Sequence, residues 1–339
     1  IRETIEAALP AGIAALAALA ARWRSRVKQR LVDVAERRLF WERVVDGPVG
    51  EDAIAGNSAR ADRSVAELLS KAGNGSGEDN PGQAWLVGAG PGDPGLLTLR
   101  ALQVMQTADV ILYDRLVSEE ILTLARRDAD RISVGKTPGG CLNSQEEINA
   151  LLVKLVREGK RVCRLKGGDP FIFGRGGEEL AALQAAGART EVIPGITAAA
   201  GCAAATGIPL THRDLAQSVA MVTAHGKDSI DNLDWASLAR DRQTIAFYMA
   251  VRRFPDLVSN LVAHGRSADT PVAIVERGTT PEQRVIRGTL GQLNLLAEAN
   301  RVQAPAMLIV GEVAALGVDA SFEAAQIAEK YAKPAVRTA

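Results

Sequence analysis

Apolar positions along the chain come in two rhythms. Short unbroken runs read as buried strands, and runs with three- and four-residue spacing between them read as helices. In the middle of the chain, Gln83-Ala84-Trp85-Leu86-Val87, Val110-Ile111-Leu112-Tyr113, Ile132-Ser133-Val134 and Arg161-Val162-Cys163-Arg164-Leu165 have the first rhythm. The second puts Leu96, Leu99, Leu102 and Met105 on one helical face, and Ile148, Leu151, Leu152, Leu155 and Val156 on another. Ser144 and Glu147 form a capping box before that second helix, and Gly159 ends it. A further helix runs from Glu178 to Ala186. The order strand, helix, strand predicts a sheet that is at least partly parallel.

From Gln217 a second series begins, with strands at Val219–Thr223, Thr244–Tyr248, Val272–Val275 and Met307–Val310. Arg284–Gly288 reads as a strand joined to Pro271–Glu276 through Arg277–Thr280, and Pro305 suits a strand start. Helices near Leu233–Arg240, Phe254–His264 and Leu290–Ala299 separate them, and Gly317–Ala339 reads as a tail with a short helix.

The first eighty residues differ. Ile1–Glu6 already looks helical, so the chain is expected to begin mid-protein. Ala7–Ala21 is apolar but roughly five residues short of a bilayer span, mostly alanine, and lacks a preceding basic stretch. It reads as a buried or subunit-contact helix. Arg22, Arg24, Arg26, Lys28 and Arg30 follow with no acid among them. Beside Trp23, such a stripe could hold a polyanion; a solvated face with Val27, Leu31 and Val34 packed below is favoured. Glu36–Arg43 continues this amphipathic character. An arm with so little core of its own is expected to pack on a second copy. Asp46–Gly82 holds seven glycines and seven acids and reads as a flexible linker with one short helix, Arg63–Lys71.

Composition narrows the function. The 339 residues carry 40 basic and 40 acidic side chains, which argues against nucleic-acid binding, where a basic surface dominates. Cys141, Cys163 and Cys202 are too few and too scattered for a disulfide framework or a zinc pattern, and His212, His225 and His264 add no metal site. A reducing cytoplasm is expected, with no membrane contact.

Two glycine-rich junctions carry the candidate chemistry. Gly90, Gly92 and Gly95 satisfy G-x-G-x-x-G after a strand, and Asp114 stands where a dinucleotide fold would place its ribose-binding acid. A nicotinamide-dependent oxidoreductase is therefore one reading. Against it, Asp93 would put a carboxylate beside the pyrophosphate, and Pro91 and Pro94 remove N–H donors. The second junction, Arg164–Glu179, holds five glycines, two phenylalanines and an Asp-Pro step between a strand and a helix. Such junctions are where open α/β sheets bind ligands.

Gly88–Pro94, Tyr113-Asp114-Arg115-Leu116-Val117, Val134-Gly135-Lys136, Arg164–Glu179, Val192–Ala199 and Gly207–Asp214 together resemble the uroporphyrinogen-III C-methyltransferase family of tetrapyrrole methylases. More narrowly, they resemble the methyltransferase modules of siroheme synthases, over about Ala84 to Leu316. Arg26–Arg30 and Glu36–Glu42 resemble the dimer-forming helices of those proteins' precorrin-2 dehydrogenase and ferrochelatase module. That module's NAD-binding half would precede Ile1, so NAD, oxidation and iron insertion belong to the intact protein alone.

The resemblance implies an α/β fold: a two-lobed tetrapyrrole methylase with the cofactor cleft between its lobes, preceded by an α-helical dimerisation arm. The expected division is 1–46 arm, 47–82 linker, 83–214 N-terminal lobe, 215–316 C-terminal lobe and 317–339 tail. It implies S-adenosylmethionine as methyl donor and uroporphyrinogen III as acceptor, methylated at two ring carbons to precorrin-2, in a homodimer. The implied cofactor contacts are Pro91, Gly167, Gly168, Asp169, Ile172, Thr197 and Ala198, with Met249 and Gly278 from the second lobe. A sulfonium donor without phosphate suits the acidic first loop, and the glycines of the second read as room for it. Asp114 is the implied proton acceptor and Lys136 the implied proton donor. Because the substrate carries eight carboxylates, Arg115, Arg175, Arg213 and His212 are candidates to bind them. A dimeric binding or scaffold fragment is the alternative from another class.

Overall fold

The computed structural model describes residues 12–45, 47–72, 82–135, 144–224 and 230–317. These form two compact units, divided between residues 80 and 81.

The first unit has four helices, α1 (Ile13–Arg30), α2 (Val34–Val45), α3 (Pro48–Ile54) and α4 (Ser58–Lys71). Leu16, Leu19 and Val27 of α1 bury against Phe40, Val44, Val49, Ala53, Ala61 and Val65 from the other three. The arm therefore encloses a core of its own, which the sequence reading did not expect. Nor is the stretch from 47 a flexible linker, since α3 and α4 fill most of it. The glycine count misled because several of these glycines are close-approach positions. A Cβ on Gly50 would lie 2.2 Å from the Val45 carbonyl oxygen, and one on Gly47 2.4 Å from that of Arg43. Residues 73–81 lie outside the described residues.

The basic stripe is largely engaged within the unit. Trp23 donates from Nε1 to Asp62 Oδ1 at 2.6 Å, and Arg22 donates to Asp62 Oδ2 at 2.9 Å. The Arg26 guanidinium stacks 5.0 Å from the Trp23 ring centroid. Val27 and Leu31 are buried as expected, whereas Val34, which opens α2, is exposed.

The second unit contains two five-stranded sheets. The first is built from β1 (Gln83–Gly88), β2 (Val110–Tyr113), β3 (Asp130–Ser133), β4 (Arg161–Lys166) and β5 (Arg189–Ile193), in the order β3-β2-β4-β1-β5. Every pairing is parallel, so all five strands end at one edge. Its helices are α5 (Leu99–Thr107), α6 (Glu119–Thr123), α7 (Gln145–Arg157) and α8 (Gly176–Ala185). The two-residue period of the strands decides which face each side chain joins. Trp85, Val87, Ile111, Cys163 and Leu165 pack with α5 and α6. Ala84, Leu86, Leu112 and Val162 pack with Ile148, Leu152 and Val156 of α7 and Leu183 of α8.

The second sheet is built from β6 (Ser218–Thr223), β7 (Gln243–Tyr248), β8 (Pro271–Glu276), β9 (Arg284–Thr289) and β10 (Ala306–Val310), in the order β6-β7-β10-β8-β9. Only β6 and β7 run parallel; the other pairs are antiparallel. Helix α9 (Ala198–Thr206) packs here, with Ala199 and Cys202 against Ala246, Ala273, Val275 and Ile309. Ile208 and Ala216 join the same cluster. By packing, the second lobe thus starts before the expected 214/215 division, because a short alanine-rich helix cannot announce which sheet it covers. On the other face, α10 (Trp235–Leu238), α11 (Phe254–Ala263) and α12 (Leu293–Ala299) cover a cluster centred on Phe247, Phe254, Leu257 and Ile274. Among the described residues, no helix is long and apolar enough to cross a membrane. The expected tail beyond Gly317 lies outside the described residues.

Candidate active site

The loops leaving β1, β4 and β5 converge at the C-terminal edge of the parallel sheet, and glycine lets their backbones touch. A Cβ on Gly88 would lie 2.5 Å from the Gly195 Cα, and one on Gly195 would lie 2.3 Å from the Gly168 carbonyl oxygen. Gly90 and Gly168 exchange two backbone hydrogen bonds, of 3.1 and 2.7 Å. Gly174 and Gly176 are closed by the Pro170 carbonyl, and Gly167 by Leu116. Most of these glycines therefore serve protein-to-protein contact, a correction to the expectation that they simply leave room for a ligand. The exceptions in this junction are Gly177, which opens α8 with nothing within 4 Å of a Cβ, and Gly168. At φ +71° Gly168 needs glycine's conformational freedom, and a Cβ there would meet nothing nearer than the Thr197 Cα and Ala198 N at 3.9 Å.

Asp169 is also more structural than its sequence context implied. One carboxylate oxygen accepts from Phe171 N at 2.9 Å and the other from Gly195 N at 3.0 Å. It ties the β4 loop to the β5 loop. Asp93 is likewise an internal cap: its Oδ1 accepts from Gly95 N at 2.7 Å, closing the 3₁₀ turn Pro94–Leu96. The next helix, α5, starts only at Leu99, with Thr98 as its cap. The Gly90–Gly95 loop thus never runs directly into a helix N-terminus, the feature on which a dinucleotide loop depends.

Asp114 follows β2 at the same edge, and what holds it is a cluster that sequence reading missed. Arg164 Nη2 donates to Asp114 Oδ1 at 2.5 Å, and Arg164 Nε donates to Glu179 Oε1 at 2.9 Å. Lys166 Nζ reaches the same Glu179 oxygen at 3.0 Å, and Gln145 Nε2 reaches it at 3.2 Å. Arg164 and Lys166 share the strand face of Val162, so the pleat drives both beneath α7 and α8. Burial, and then the neighbouring Arg164, pulls the Lys166 ammonium below the ordinary lysine range, against the opposite pull of Glu179. The available signal was charge at alternate positions of an otherwise apolar strand.

The second sheet closes the site from the other side. Asp93 N donates to Thr279 Oγ1 at 3.2 Å, and a Cβ on Gly201 would strike the Pro91 ring at 2.4 Å. Phe173 stacks on Tyr248 with 4.8 Å between ring centroids. Phe173, Arg175, Met249, Arg277 and Thr279 all have left-handed φ between 48° and 68°. Non-glycine residues hold such conformations only where the surroundings impose them. The Tyr248 hydroxyl sits 2.7 Å from Thr197 Oγ1 and accepts from Ala199 N at 3.2 Å, capping α9. Burial pushes that hydroxyl above the ordinary tyrosine value, so it stays protonated. Tyr248→Phe is expected to orphan both partners and lower unfolding stability by about 1–3 kcal/mol, read as a shift of the denaturant midpoint.

Of the expected cofactor contacts, Pro91, Gly167, Gly168, Asp169, Ile172, Thr197 and Ala198 lie along this edge. Met249 directly follows β7, and Gly278 stands over Cys202, whose sulfur would lie 2.3 Å from a Cβ there. Ile172 and Met249 are exposed. Lys136 lies outside the described residues, as does His225. Arg115 is exposed beside Gly135. Arg175 forks onto Glu178 at 2.7 and 2.8 Å, which leaves it committed to the first turn of α8. His212 accepts from Asp214 N through Nδ1 at 3.2 Å, and Arg213 is exposed.

Residues 84–294 match the family model of Tetrapyrrole (Corrin/Porphyrin) Methylases, and residues 12–69 match that of the Sirohaem synthase dimerisation region. The second match runs to within α4, the part of the arm first read as linker. Siroheme synthase 1 of Serratia proteamaculans is 55% identical over 93% of this chain and 66% of its own length. A siroheme synthase of Stutzerimonas stutzeri is 54% identical over 97% of this chain and 70% of its own. The chain thus spans about two thirds of the length of the curated relatives it matches. Uroporphyrin-III C-methyltransferase from Thermus thermophilus, solved with S-adenyl homocysteine, superposes with a TM-score of 0.59 at 41% identity. That match covers 68% of this chain and 98% of that one.

Proposed function

Because the chain belongs to the tetrapyrrole (corrin/porphyrin) methylase family, we propose that it methylates uroporphyrinogen III at two ring carbons with S-adenosylmethionine, giving precorrin-2 in siroheme synthesis. The observation that carries this reading is the edge where β1, β4 and β5 end against β7 and Thr279. It combines a Gly168 not closed off by close backbone contact, exposed apolar side chains at Ile172 and Met249, and the half-buried carboxylate of Asp114.

The site fits the donor. Pro91, Gly167, Gly168, Ile172, Thr197, Ala198, Met249 and Gly278 would hold it, with Asp169 shaping the loop from behind. When bound, S-adenosylmethionine supplies an electrophilic methyl group on a sulfonium. The protein's contribution is to orient the attacking ring carbon and to accept the proton that the ring releases afterwards. Asp114 is the acceptor in this reading: Arg164 holds its carboxylate in place through Oδ1, and its side chain remains 29% exposed at the edge of the site. Lys136 is the donor by family resemblance. Arg115 and Arg213, both exposed, together with His212, remain the candidates for substrate carboxylates; Arg175 would first have to leave Glu178.

In the intact protein, oxidation of precorrin-2 with NAD and iron insertion would belong to a module other than the two units described. The helical arm would form the contact between two copies in the cytoplasm. Incubating the purified chain with S-adenosylmethionine and uroporphyrinogen III is expected to yield precorrin-2 and two equivalents of S-adenosylhomocysteine, followed by absorbance and mass spectrometry. Binding of both ligands without methylated product would instead support a binding or scaffold fragment.

A further inference from the structure

Glu179 has no exposure at all, yet it is an ionisable residue, and its Oε1 lies within ion-pair distance of both Arg164 and Lys166. It projects from α8 against a sheet face whose other contacts with α7 and α8 are mostly apolar. Buried ions are costly unless paired and hydrogen-bonded. Here one oxygen, Oε1, takes Arg164, Lys166 and Gln145, while Oε2 has no hydrogen-bond partner among the described residues. A carboxylate kept under those terms needs a reason beyond packing.

Its geometry supplies one. Arg164 is gripped on three sides: Nε by Glu179, Nη1 by the carbonyls of Leu112 and Leu165, and Nη2 by Asp114. Guanidinium is planar, so fixing Nε and Nη1 fixes where Nη2 points. We infer that Glu179 is a positioning residue for proton removal: it orients the Arg164 guanidinium that holds Asp114 and offsets its charge. The inference rests on the reading of Asp114 as proton acceptor.

Charge makes the second half concrete. With Asp114 ionised, Arg164 and Lys166 balance Asp114 and Glu179, and a proton on Asp114 leaves one net positive charge. Without the Glu179 charge, the same uptake would go from one net positive charge to two, which disfavours it. The other charged groups facing the cluster sit at its rim: Arg175 pairs with Glu178, and Glu146 on α7 and Glu178 both feel Arg175. Glu178 also feels Lys166.

The test is Glu179→Gln in the whole chain, assayed with S-adenosylmethionine and uroporphyrinogen III. Turnover is expected to fall about 10- to 100-fold, less than the full contribution of a general base. KM and cofactor affinity should hold within about threefold, and the acid limb of the rate–pH profile should move to lower pH. Adding Glu179→Gln to Asp114→Asn should cost nothing further. Losses that multiply in the double variant, or weaker cofactor binding with an unmoved pH profile, would overturn the inference and leave Glu179 a structural residue. Full activity of Asp114→Asn alone would instead remove the acceptor reading itself. If Glu179→Gln does not fold, Glu179→Gln with Lys166→Gln keeps the cluster neutral. That pair should lower turnover with the acid limb near its parental position; unchanged turnover would overturn the inference.

Discussion

Asp114→Asn is expected to cut turnover of uroporphyrinogen III by about 10²- to 10⁴-fold, the usual weight of a positioned general base. Affinity for S-adenosylmethionine should stay within about twofold, since Asp114 is not among the residues assigned to the donor. The substitution keeps shape and a hydrogen-bond acceptor for Arg164 but removes the charge that takes the proton. Some stability goes with it. Arg164 is almost wholly buried and loses one of two charged partners, so a cost of about 1–3 kcal/mol is expected. Measuring single-turnover rate, cofactor affinity and melting temperature on the same preparation separates these effects. A turnover loss under tenfold would reassign the proton transfer to another group, and a parallel loss of cofactor affinity would make Asp114 structural.

Gly195→Ala should be strongly damaging to the second unit. The added carbon would fall 2.3 Å from the Gly168 carbonyl oxygen and 2.7 Å from the Gly88 Cα, all of it backbone that cannot rotate aside. Three loops must separate to admit it. Overpacking of this kind costs about 3 kcal/mol or more, or some 6–12 °C in melting temperature for a domain of this size. Because Gly168 moves with the clash, affinity for S-adenosylmethionine should fall more than tenfold even in the folded fraction. Gly177→Ala is the control: nothing lies within 4 Å of a Cβ there, so stability and binding should change little. Equal behaviour of the two variants would show that the three loops do not depend on backbone contact.

How the chain divides between readable and unreadable follows from the range of the forces involved. Strand and helix positions were legible because burial on a sheet or helix face imposes a period of two or near four on consecutive residues. The capping box at Ser144 and Glu147 was legible for a similar reason: it is local, and it is formed as expected. The glycines were legible as necessary but not as to purpose. A glycine that admits another backbone and one that admits a ligand look the same in sequence, and Gly195 and Gly168 differ in what faces them and in the left-handed φ of Gly168. Over residues 47–72 the linker reading failed because glycines that admit a neighbouring backbone were counted as flexible. The charged cluster escaped because its members come from β4, α7, α8 and the end of β2, and no periodicity links Asp114 to Glu179.

By itself, the sequence determined the α/β class, the strands and helices around the glycine junctions, the placement of Asp114 at a strand end, and the family. Those are matters of local pattern and of motifs that read in order along the chain. Only the tertiary structure decided that Asp93 and Asp169 face inward as ties, that α9 belongs to the second sheet, and that Arg164 joins Asp114 to a wholly buried Glu179. Each of these is a contact between residues far apart in the chain, made where parallel strands bring their ends to one edge and a second sheet closes over it. A side chain's partner across such an edge depends on that packing, and the linear order of residues does not encode it in any pattern a reader can follow.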